Sequence, residues 1–202
     1  MKKLIGLLAF AVLAGAQGEG ERIQEAHMAN IRSMGARGVL VAAGPFDDRP
    51  ATISGIFVLK MGSKDEALRL MAEDPTVKEH RNGADVVAWR GPKGIGTAYA
   101  RLHQEKPDLP QDRGVQPFLM LYGAGGGDVG RHEEYVEGLR RAGKVVAAGP
   151  VMEGDGLAAI VIFARMPDEE AQRLMREDPA VKSGVLRAEF HRWWCAAHVL
   201  TE

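Results

Sequence analysis

Val41-Ala42-Ala43-Gly44-Pro45 returns in the second half of the chain as Val146-Ala147-Ala148-Gly149-Pro150, an offset of 105 residues. A longer block answers in the same way. Arg69-Leu70-Met71-Ala72-Glu73-Asp74-Pro75-Thr76-Val77-Lys78 matches Arg173-Leu174-Met175-Arg176-Glu177-Asp178-Pro179-Ala180-Val181-Lys182 at an offset of 104, so one residue is lost between the blocks. His27 pairs with His132, Gly38 with Gly143 and Trp89 with Trp193, which carries the likeness along each half. A chain of 202 residues has room for one large domain or two of about 100 residues, and the self-similarity decides for a duplicated domain.

Periodicity gives each copy its elements. Ile23, His27, Ile31 and Met34 fall at helical spacing, as do His132, Val136 and Leu139, so each histidine lies on an inward stripe. Gly38 and Gly143 stand where a left-handed cap would end these helices. Residues 39–43 and 145–148 read as short buried strands stopped by Gly-Pro, and 53–61 and 157–165 as second strands. Helices over 64–73 and 168–177 open with acids suited to a positive helix end. Pro75 and Pro179 disfavour helical geometry at the residue before them, so Asp74 and Asp178 should mark helix exits. Last strands fall on 85–90 and 188–194, and Phe118 to Tyr122 leads the second copy. The order strand-helix-strand-strand-helix-strand is ferredoxin-like, an α+β fold. By the same offset the leading strand of the first copy falls on 13–17; that copy either lacks the strand or fills its place with another segment. Residues 93–116 read as a connector with a short helix over 97–105.

The first residues carry another signal. Lys2 and Lys3, an apolar run from Leu4 to Leu13, and Ala14-Gly15-Ala16 have the outline of a secretory signal peptide cut after Ala16. The run is too short to span a bilayer. The expected organisation is a signal peptide (1–16), a first repeat (17–92), the connector (93–116) and a second repeat (117–202), in a chain exported to a periplasmic or secreted destination and free of the membrane. Cleavage would remove two lysines and no acids, taking the net charge from −1 to −3. With 26 Lys plus Arg against 27 Asp plus Glu there is no footprint for nucleic acid. A single cysteine, Cys195, excludes an internal disulfide and a multi-thiolate zinc site.

The succession of His, Gly-Pro after a short strand, Asp-Pro-x-Val-Lys after an acidic helix, and a last strand ending in Trp resembles the YCII-related domain family, over His27 to Trp89 and Phe118 to Trp193. The resemblance implies a dimeric α+β barrel, in which two ferredoxin-like sheets pack face to face. Here the two copies would form that pair within one chain, a pseudo-dimer whose further association is left open. It also implies a His-Asp pair in a pocket: His27 with Asp74 and His132 with Asp178, with Gly44, Pro45, Gly149 and Pro150 as expected substrate contacts. One branch of the family dehydrochlorinates a chlorinated hydroxyhydroquinone.

Residue chemistry allows the same role. A histidine on an apolar helix face needs a hydrogen-bond partner, and a carboxylate on one ring nitrogen leaves the other as a base. The reaction class expected is a cofactor-free elimination or isomerisation, lyase or isomerase chemistry on a small cyclic or aromatic molecule. The rivals are a binding module that holds such a ligand without turning it over, and a structural or interaction scaffold in which each His-Asp pair is only a strut tying two helices. No metal is expected, since His103, His191 and His198 show no ligand spacing. His80 reads as an exposed loop residue, opposite Gly184 of the second copy. Gly94-Ile95-Gly96 and the glycines of 123–127 lack the Lys-Ser/Thr ending of a phosphate loop, and 125–127 read as a loop beside the pocket. Trp193 and Trp194 read as core and interface, and Cys195 as a thiol kept reduced by burial.

Overall fold

The structure is a computed structural model that describes residues 4–11, 17–48, 53–106, 112–123, 130–153, 156–196 and 199–200, with backbone alone for 4–11 and 17. The first repeat runs β1 (Leu4–Ala11), α1 (Gln17–Ala36), β2 (Leu40–Pro45), β3 (Gly55–Lys60), α2 (Lys64–Ala72), α3 (Pro75–Lys78) and β4 (Asn82–Trp89). A connecting helix α4 (Thr97–Glu105) leads to β5 (Arg113–Tyr122), α5 (Gly130–Arg141), β6 (Val145–Glu153), β7 (Leu157–Phe163), α6 (Asp168–Glu177), α7 (Pro179–Lys182) and β8 (Arg187–Ala196). Each repeat is a four-stranded antiparallel sheet in the ferredoxin-like order, β2-β3-β1-β4 and β6-β7-β5-β8.

Strand alternation separates two kinds of core. In β5, Phe118 and Met120 join a cluster drawn from strands of both repeats, while Leu119 and Leu121 turn to a cluster made with α5, α6 and α7. The shared cluster, with Ile56, Val58, Trp89, Ile160, Ile162 and Trp193, lies between the two sheets. Among the described residues, the helix-side core of the first repeat holds Leu59, Ala67, Met71 and Val86. Met34 is also fully buried on α1.

The sheets are also stitched edge to edge. Trp89 pairs with Val151, joining β4 to β6, and Phe46 pairs with Trp193 where β2 meets β8. The seam is reciprocal: the Trp89 indole donates to the Gly149 carbonyl at 3.0 Å, and the Trp193 indole donates to the Gly44 carbonyl at 3.0 Å. A Cβ on Gly149 would stand 1.9 Å from the Arg90 carbonyl oxygen, and one on Gly44 would stand 2.0 Å from that of Trp194. Close approach of backbones is the reason for glycine here.

Several expectations need correction. Of the two alternatives for the leading strand of the first repeat, the second holds: another segment, Leu4–Ala11, fills its place, paired with both β3 and β4. It lies upstream of 13–17 because α1 starts ten residues before His27, whereas α5 starts two before His132. Gln17 opens that helix; 13–16, and with them the cleavage site, lie outside the described residues. Gly-Pro closes β2, which ends at Pro45, but it does not stop β6, which continues through Pro150 to Glu153 because the seam supplies partners there. Arg113 to Gln116 belong to β5 and not to the connector. Trp194 is exposed, with Arg113 over its ring, while Trp193 and Cys195 are buried.

Candidate functional site

Helix α1 presents His27 and Asn30 on one face, three residues apart. Facing them is Asp74, held by local chain geometry. It follows α2 and precedes Pro75, so its backbone is extended and its carboxylate caps α3, with Pro75 in the first turn. The cap bond runs from the Thr76 amide to Oδ1 at 2.9 Å, and the Thr76 hydroxyl donates to the same oxygen at 2.6 Å. Asn30 Nδ2 donates to Oδ2 at 2.9 Å, and His27 Nδ1 lies 2.9 Å from both oxygens. A carboxylate can only accept, so Nδ1 carries the hydrogen and the lone pair lies on Nε2. Burial pushes the Asp74 carboxyl up, but the hydrogen bonds of His27, Thr76 and Asn30 outweigh it and hold the pKa down to about 2. The His27 ring stacks on Phe57 with centroids 5.8 Å apart, and its side chain keeps 17% of its surface in solvent.

The second repeat builds the same pair with fewer partners. His132 Nδ1 lies 2.6 Å from Asp178 Oδ2, and Asp178 caps α7 by accepting from the amides of Ala180 and Val181. Ala180 stands where the first repeat has Thr76, so the hydroxyl donor is gone. Tyr135 stands where the first repeat has Asn30, and its hydroxyl donates to the Leu174 carbonyl at 2.7 Å instead of the aspartate. The His132 side chain keeps 7% of its surface exposed.

Both expected pairs are thus brought together. Gly44, Pro45, Gly149 and Pro150 are placed differently: they lie on β2 and β6, where the glycine carbonyls receive the seam tryptophans and Pro150 accepts from the Arg90 amide. Sequence reasoning missed Asn30 and Thr76. Their signals were there, since i+3 from a helical histidine shares its face and Asp-Pro-Thr is a helix start as well as a helix exit.

A third histidine also meets acids. His191 on β8 faces Asp48 at Nδ1 and Glu189 at Nε2, each at 3.1 Å, and stacks on Phe46 at 4.5 Å. Both its ring nitrogens are engaged, and it ties the end of β2 to the second repeat. His80 is exposed, and His103 packs against Tyr99 on α4. His198 and the glycines of 124–127 lie outside the described residues. No group of three His, Cys, Asp or Glu suited to a metal occurs among the described residues. Cys195 donates to Gln116 Oε1 at 3.1 Å, and burial pushes its pKa up to about 12.

Residues 11–90 match the YCII-related domain family. A search of curated proteins found no match. Solved structures of similar shape include a candidate chlorite dismutase, 10% identical with a TM-score of 0.59, covering 96% of this chain and 95% of that one. Another is a heme-binding protein from Thermus thermophilus, 13% identical with a TM-score of 0.56 and coverage of 97% and 91%. A third is a candidate monooxygenase from Lactobacillus acidophilus, 11% identical with a TM-score of 0.53 and coverage of 96% and 94%. At such identities the likeness speaks for the fold, that of the dimeric α+β barrel, and for nothing finer.

Proposed function

Residues 11–90 belong to the YCII-related domain family, and from that premise we propose that the chain is a cofactor-free enzyme working by proton transfer on a small cyclic or aromatic molecule. The observation that carries the reading is the His27–Asp74 pair. Nδ1 is committed to a carboxylate that stays ionised far below neutral pH, and Nε2 has no partner among the described residues. A substrate O–H or acidic C–H gives its proton to Nε2, and the leaving group departs with its bonding pair or the double bond shifts. Asp74 fixes the tautomer and stabilises the imidazolium without taking the proton. Phe57 supplies an apolar wall beside the ring. What the neighbours bind stays with them, and no step here uses heme.

The test is turnover of small enols and halogenated phenols by the full chain and its His27→Ala variant. The expected result is loss of turnover by a factor on the order of 10²–10⁴ with ligand binding retained. Binding without turnover in the parent chain would instead identify a binding module.

Export is proposed from Lys2, Lys3 and the apolar run alone. Cleavage after Ala16 would remove β1. Intact mass of protein recovered from the periplasm or medium separates the cases: a chain beginning at Gln17 supports export, and a cytoplasmic chain that keeps residues 4–11 contradicts it.

A further inference from the structure

The two repeats descended from one sequence, yet the neighbours of their His-Asp pairs have diverged. Three positions differ in a consistent direction. Thr76 is matched by Ala180 and Asn30 by Tyr135, so the second carboxylate lacks two side-chain donors; Phe57, the stacking wall, is matched by Val161. Tyr135 spends its hydroxyl on the last turn of α6 and packs into the helix-side core, beside a histidine more deeply buried than its counterpart.

We propose that the repeats have divided their work: the first is the chemical site, with Asn30 and Thr76 as positioning residues that hold Asp74 for His27, and the second keeps its pair as an internal tie between α5 and α7. The proposal rests on the proton-transfer reading above and deepens it to one site per chain. Asn30 and Thr76 act through the carboxylate. They fix its plane and keep it ionised, so that it accepts from Nδ1 and leaves Nε2 free in one orientation. In the second repeat the pair needs only to satisfy two buried groups and cap a helix, for which backbone amides suffice.

The test uses diethyl pyrocarbonate, which acylates an accessible neutral imidazole nitrogen, on the full chain with peptide mapping by mass spectrometry. His27 should react on the order of tenfold faster than His132, which must first open locally. The Asn30→Tyr variant, which imitates the second repeat, should bring the His27 rate down toward that of His132. In parallel, carboxyl NMR should find Asp74 titrating near pH 2 in the parent chain. Its pKa should rise toward the ordinary range in Thr76→Ala and return in Thr76→Ser. Equal acylation of the two histidines, or faster reaction at His132, overturns the proposal. An Asp74 titration unmoved by Thr76→Ala and Asn30→Ala removes the positioning role. Neither readout needs a substrate, so selective acylation without turnover on any compound sinks the catalytic reading, and with it the chemical role of the first site, while the difference between the repeats and the positioning of Asp74 by Asn30 and Thr76 still stand.

Discussion

Asp74 is held in its ionised form by donors from three directions, and that has a direct readout in stability. Its folded pKa of about 2 lies below the unfolded value of about 3.9. A depressed carboxylate contributes stability above the unfolded pKa and loses it as pH falls through the folded one. The shift is worth roughly 2 kcal/mol at neutral pH. Asp74→Asn should therefore destabilise the chain at pH 7, and the gap to the parent should narrow between pH 4 and pH 2 in urea unfolding. A gap constant over that range would contradict it. Both histidines and both aspartates were legible in the sequence because duplication printed each of them twice. Asn30 and Thr76 were hidden for the same reason: the second repeat replaces them, and a repeat comparison discards what the copies do not share.

The segments after α3 and α7 end in matched turns, and here the second repeat has the easier residue. His80 has φ 52°, in the left-handed region, at the position where Gly184 has φ 76°. A side chain there costs about 1 kcal/mol or more, offset in part by the freedom glycine gives the unfolded chain. His80→Gly should stabilise by about 0.5–1 kcal/mol, a rise of roughly 2 °C in the thermal midpoint. An unchanged or lower midpoint would count against the strain. Helix and strand identities were readable from period and caps, and α4 and α6 fall on the expected residues. Failures occurred where a neighbour overrode local chemistry. Gly-Pro reads as a stop, but the seam pairs the backbone beyond it. Leu4–Ala11 reads as a leader, because a central strand with a neighbour on each side and a signal h-region are both short apolar runs in sequence.

At the scale of the whole molecule, the reciprocal seam joins the repeats through backbone, and it should be intolerant of a single methyl group. Gly44→Ala and Gly149→Ala each drive a Cβ into a carbonyl oxygen of the other repeat. Each should cost at least about 2–3 kcal/mol, seen as a lower urea midpoint, whereas Gly138→Ala, with open space around it on α5, should not. Equal tolerance at all three positions would mean the sheets are not stitched there. Duplication made the pairing of two similar sheets legible. The indole-to-carbonyl bonds were not, since no local pattern links Trp89 to Gly149 or Trp193 to Gly44. The position of β1 reaches further still. It has a hydrogen-bonded neighbour on each side, so a chain that loses it exposes unpaired amides and carbonyls along both β3 and β4. Bare strand edges of that kind recruit strands from other molecules, which makes the N-terminal segment a guard against self-association as well as a part of the fold.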